Sequence, residues 1–92
     1  MRAAEAELLA LQALGWLAGD PERAGAFLAA AGAVPEAMAE GARDPVFLGF
    51  VLDHLLAEDA RVLDFAAEHD LVPETLARAR AALPGGDVPD WT

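Results

Sequence analysis

Cysteine, serine, tyrosine, lysine, asparagine and isoleucine are all missing from this 92-residue chain. The lack of cysteine excludes disulfides, thiolate metal sites and a cysteine nucleophile, and makes a cytoplasmic setting the expectation. The lack of serine, lysine and tyrosine removes the usual acyl-transfer nucleophile, the Schiff-base amine and the phenolic acid. Carboxylates, arginines, His54, His69, Thr75 and Thr92 remain as reactive side chains. Isoleucine is absent while alanine, glycine, proline and arginine are plentiful, a bias toward GC-rich codons that suggests a high-GC bacterial source. Positive charge is also scarce: six basic against sixteen acidic residues leave a net charge of -10. Nucleic-acid backbones and anionic membranes are repelled by such a surface, because binding them takes clustered lysine and arginine.

What is abundant is apolar: 55% of the residues are hydrophobic, which argues for a packed core despite the charge. A chain this short buries only about 60 to 65% of the surface exposed when unfolded, so its stability should be modest. The apolar run Leu8 to Ala18 behind Arg2 has the outline of a signal peptide. Glu5 and Glu7 and the absence of a small-residue cleavage site argue against that reading. The run is also too short to span a bilayer and reads as a first helix.

Breakers at Gly19-Asp20-Pro21, Gly32 to Pro35, Arg43-Asp44-Pro45, Glu58-Asp59, Asp70 to Pro73 and Pro84-Gly85-Gly86 divide the chain into six short helices. Asp20-Pro21 and Asp44-Pro45 each join an acidic N-cap to a proline at the first helical position, and Asp59 reads as a third cap. Gly32 is placed to stop the second helix. No alternating β-branched run supports a strand. The expected fold is all-α: a bundle of five to six short helices over residues 1–84, followed by a tail, 85–92, that docks through Trp91.

An internal repeat runs through the helices. Phe27 and Phe65 lie 38 residues apart, and the same offset aligns Arg23 with Arg61, Val34-Pro35-Glu36 with Val72-Pro73-Glu74, Leu14 with Leu52 and Leu17 with Leu55. Two three-helix units facing each other in one bundle follow from this, since two units are too few for a solenoid. The fourth helix is expected at the centre, with Phe47, Leu48, Val51, Leu52, Leu55 and Leu56 in a wide apolar stripe. Val46, Phe50 and Ala57 lie on its other side, which makes it enclosed by neighbours or reserved for a partner. In the fifth helix Val62, Phe65, Ala66 and His69 share a face. In the sixth, Leu76, Ala79 and Leu83 point inward and Arg78 and Arg80 outward. Gly41 reads as a frayed helix end and Gly49 as a close helix contact.

Among candidate sites, His54 and Glu58 stand at i and i+4 with metal-ligand spacing, but two further ligands are missing and the ordinary reading is a helix-surface pair. His54 aligns with Trp16 in the repeat, which favours a packing role. His69 reads as a dipole partner at a helix C-terminus. Gly85-Gly86 is not followed by a helix and cradles no phosphate. Neither a cofactor nor a metal nor a small-molecule substrate is indicated. The leading expectation is a non-enzymatic interaction module with Val46, Phe50, His54, Ala57 and Trp91 as interface, binding a protein partner or a second copy of itself. An acidic regulator that covers a basic protein surface is the alternative, and a carboxylate-based enzyme built around His54 the third.

Three segments together resemble a known family: Leu11-Gln12-Ala13-Leu14-Gly15-Trp16-Leu17-Ala18-Gly19-Asp20, Asp44-Pro45-Val46-Phe47-Leu48, and Ala82-Leu83-Pro84-Gly85-Gly86 through Trp91-Thr92. The family is domain of unknown function 3572, small proteins found chiefly in alphaproteobacteria. The resemblance implies a bacterial cytoplasmic protein and brings no activity, cofactor or catalytic residue with it. It departs from the family pattern where a tryptophan is expected after Glu58-Asp59 and Arg61-Val62 stands instead.

Overall fold

The computed structural model describes residues 1–84, which form six α-helices and, among the described residues, no strand. They are α1 (Ala3–Ala18), α2 (Pro21–Ala31), α3 (Pro35–Gly41), α4 (Pro45–Leu56), α5 (Asp59–Glu68) and α6 (Glu74–Ala81). The starts follow from local chemistry. Asp20 accepts the Arg23 amide at 3.0 Å and Asp44 accepts the Val46 amide at 3.0 Å, each ahead of a proline that has no N–H to satisfy. The cap of α5 is Glu58, with Asp59 already in the first turn, so Asp59 serves the positive end of the helix dipole and not the expected cap. The Trp91 tail lies outside the described residues.

The 38-residue offset holds for the backbone. α1 ends at Ala18 and α4 at Leu56, while α2 and α5 start at Pro21 and Asp59. Gly32 closes α2 with a left-handed φ of 64°, and Asp70, its equivalent after α5, takes φ 55°. The reversals that follow are closed alike, by Ala33 N–H to Leu28 O at 3.0 Å and Leu71 N–H to Ala66 O at 2.8 Å.

α1 and α4 lie against each other as a central pair, so the centre is shared and does not belong to α4 alone. α1 buries Ala6, Leu9, Ala10, Ala13, Leu14, Trp16 and Leu17; α4 buries Leu48, Val51, Leu52, His54 and Leu55. Five of these positions correspond across the repeat, from Ala10 with Leu48 to Leu17 with Leu55. At two of them α1 has alanine, Ala10 and Ala13, where α4 has the larger Leu48 and Val51. Phe47 and Leu56 are partly buried and pack on this core.

The two halves differ in their third helix. α6 packs against both α1 and α4 and delivers Leu76, Ala79 and, just beyond it, Leu83 to the core, whereas α3 packs on α4 and buries only Gly41. Gly41 is not a frayed end: a Cβ there would run into the Phe47 ring, so its absence is what lets α3 sit on α4. Gly49 does mark a close approach, but to a side chain: a Cβ would stand 3.0 Å from Arg80 Nη1. Arg80 therefore does not point outward as α6 periodicity suggests. Its guanidinium folds across Gly49 to Asp53, Nε to Oδ1 at 2.6 Å, and Nη1 donates to Pro84 O at 3.0 Å.

Candidate functional site

The repeat crosses over in space. Trp16 of α1 meets Phe65 of α5 edge-on at 5.5 Å between ring centroids, and its equivalent His54 of α4 meets Phe27 of α2 edge-on at 5.2 Å. The arginines correspond too: Arg23 Nη1 donates to Trp16 O at 3.4 Å and Arg61 Nη1 to His54 O at 2.9 Å. Two geometrically equivalent corners result, one between α1 and α5 and the other between α4 and α2.

The α1–α5 corner is filled. Trp16 Nε1 donates to Glu68 Oε2 at 2.9 Å, and Arg23 Nη2 reaches the same oxygen at 3.3 Å. The Arg23 guanidinium carbon lies 4.0 Å from the Trp16 ring centroid, a cation–π contact. His69 closes the remaining side, its ring stacked 4.1 Å from Phe65 and its Nδ1 3.0 Å from Phe65 O. This ring contact adds to the expected role of His69 at the end of α5.

The α4–α2 corner is open. Where the filled corner has Trp16, Glu68 and His69, this one has His54, Ala30 and Ala31, and the lost side-chain volume leaves a groove of about 410 Å³. Phe27, Ala30 and Ala31 of α2 form one wall; Phe50, Asp53 and His54 of α4 with Ala57, its C-cap, form the other; Arg61 of α5 also lines the groove. Phe50 stands at the mouth, 56% exposed. Ala57 is exposed on the same side of α4, one turn beyond His54. Val46, one turn before Phe50, is exposed but does not line the groove.

The polar groups of the groove are largely committed within the chain. Asp53 holds Arg80, and Arg61 Nη2 is 2.7 Å from Glu58 Oε2. Glu58 is thus drawn to Arg61 instead of completing a ligand pair with His54, and among the described residues no three His, Cys, Asp or Glu side chains could hold a metal ion. His54 is 9% exposed. Its pKa is held below the ordinary 6.5, chiefly by burial and secondly by the Arg61 charge, with Glu58 acting in the opposite sense. A neutral imidazole lining an apolar groove can accept or donate a hydrogen bond, but among the described residues no carboxylate is hydrogen-bonded to it to orient it for proton transfer. Such an arrangement suits the reception of an apolar or aromatic group.

Of the residues expected at an interface, Phe50, His54 and Ala57 meet at this groove, Val46 adjoins it and Trp91 lies outside the described residues. Phe27, Ala30, Ala31, Asp53 and Arg61 join the site without having been singled out for it. Comparing residue sizes across the repeat, Trp16 with His54, Glu68 with Ala30 and His69 with Ala31, carries the signal for the groove.

A family model described as "Protein of unknown function (DUF3572)" matches residues 3–86. The chain belongs to the DUF3572 family. The match covers α1 to α6 and so includes both corners. No curated protein and no solved structure matches the chain. No described helix is long and apolar enough to cross a membrane.

Proposed function

We propose that this DUF3572 protein is a non-enzymatic interaction module that receives an apolar segment of another protein in the α2–α4 groove. The observation that carries the reading is Phe50, a large aromatic side chain held in solvent at the mouth of a cavity whose walls are mainly alanine and phenylalanine. Aromatic residues beside concave apolar surface are the usual anchors of protein interfaces. The residue types left for chemistry support the same reading, since the lining has no hydroxyl, thiol or amine and its one carboxylate, Asp53, is bonded to Arg80. The test is a photo-crosslinking side chain placed at position 50 in the source cell, against the same group at Leu63, which is equally exposed on α5. Position 50 should capture a protein that position 63 does not. The identified partner should bind Ala57→Glu at least about tenfold more weakly, roughly 1.4 kcal/mol. Identical capture at both positions, or unchanged affinity for Ala57→Glu, would overturn the proposal.

A further inference from the structure

We infer that the α2–α4 groove is an indole site and that its occupant in the isolated protein is Trp91 of the same chain. Three observations converge on this. The first is the filled corner, where this fold already seats an indole against the equivalent phenylalanine: Trp16 packs edge-on to Phe65 with its N–H on a carboxylate. The open corner has Phe27 and Arg61 in the equivalent places but not the bulk of Trp16, Glu68 and His69, and its lining includes His54, whose neutral ring can accept an indole N–H; Asp53 there is already bonded through both oxygens to Arg80. The second is where the described chain ends. Pro84 O is bonded to Arg80, whose guanidinium is bonded to Asp53, so residue 84 is fixed two hydrogen bonds from a side chain that lines the groove. The third is reach. Gly85 to Trp91 are seven residues, and a chain of that length extends up to about 23 to 25 Å. Gly85 and Gly86 put no Cβ in the way of a reversal at the start. A groove of about 410 Å³ lies in the size range of sites that enclose small aromatic ligands. The inference takes its seat from the groove described above and adds a regulation: a partner's segment must displace Trp91 to enter.

The test uses the isolated full chain, so it can fail while partner capture succeeds, and succeed while partner capture fails. In uniformly labelled protein, the Trp91 indole should show nuclear Overhauser contacts to the Ala30 and Ala31 methyl groups and the Phe50 ring. Trp91→Ala should shift the amide resonances of Ala30, Ala31, Phe50 and Ala57 and leave Leu63 unmoved. Phe50→Asp, at an exposed position that leaves the core intact, should move the Trp91 indole resonance, whereas Leu63→Asp should not. An indole without contacts to the groove, or Trp91→Ala without shifts there, overturns the inference. So do contacts found only between labelled and unlabelled molecules in a mixed sample, which would make a second copy the occupant. In the crosslinking experiment Trp91→Ala should raise partner capture at position 50 several-fold, and a fall in capture would count against displacement.

Discussion

Phe27 and Phe65 are equivalent in the repeat, both essentially without exposure and each touched by two further rings, yet truncating them should not cost the same. Phenylalanine to alanine in a core costs about 3 to 5 kcal/mol, a transfer part common to both sites plus about 24 cal/mol for each Å³ of void that the structure fails to close. At Phe65 the void is sealed, with Trp16, held by Glu68 and Arg23, on one side and stacked His69 on another. At Phe27 it opens into the groove, where alanines line the wall and side chains can move in. A retained void of the order of 50 Å³ at Phe65 alone amounts to about 1.2 kcal/mol. Phe65→Ala should therefore destabilise by about 4 to 5 kcal/mol and Phe27→Ala by about 3 kcal/mol. Urea unfolding followed by far-ultraviolet circular dichroism measures both in a Trp91→Ala background, which leaves the groove vacant, with the two Phe→Leu variants as milder copies should either alanine variant lose its folded baseline. Equal losses, or a larger loss at Phe27, would refute the view that one corner is closed and the other open.

Other outcomes follow from single residues. Because the folded pKa of His54 lies below 6.5 while the unfolded value does not, the neutral ring contributes stability that is complete above pH 6.5 and is lost as the pH falls through the lowered folded value. Urea midpoints between pH 7.5 and 5 should fall more steeply for the wild type than for His54→Leu; parallel profiles would contradict this. Gly41→Ala forces a methyl group against Phe47 and should cost about 1 to 3 kcal/mol in thermal unfolding; an unchanged midpoint would contradict this. Gly32 and Asp70 share the left-handed conformation, so Gly32→Ala should destabilise by about 1 kcal/mol, whereas Asp70→Gly should be neutral or stabilise by a few tenths up to about 1 kcal/mol. Opposite signs at the two sites are the expected result of a denaturant titration.

Much of the fold was legible because its punctuation is local. Asp20-Pro21, Asp44-Pro45 and Gly32 act on backbone within a few residues of themselves, and each does in the structure what its chemistry dictates. Core residues such as Leu52 and Phe65 followed from spacing for the same reason. Asp59 was misplaced by one position because Glu58 and Asp59 are both acidic and no proline marks the first turn. Arg80 and Gly41 could not be read from periodicity, since each is decided by a residue on another helix, Asp53 for one and Phe47 for the other. The candidate site was half visible. Phe50, His54 and Ala57 stood out on α4, but the opposite wall is made of Ala30 and Ala31, whose significance is that they are small. Smallness has meaning only once Glu68 and His69 are seen filling the equivalent place.

The crossed pairing of Trp16 with Phe65 and His54 with Phe27 also bears on how the chain can be divided. Each three-helix half supplies the ring that closes the other's core, so neither half carries a complete interior. Cut in the turn before Asp44, the protein should yield two fragments with little helix apart and a native-like complex together. Their binding would measure the energy that joins the halves, through α1 with α4 and α6 and through α2 and α3 with α4, together with the folding that association drives. Mixed with intact chains, a lone first fragment would compete for the second half of its neighbour, and exchange of halves between molecules is the misassembly to which this architecture is most exposed.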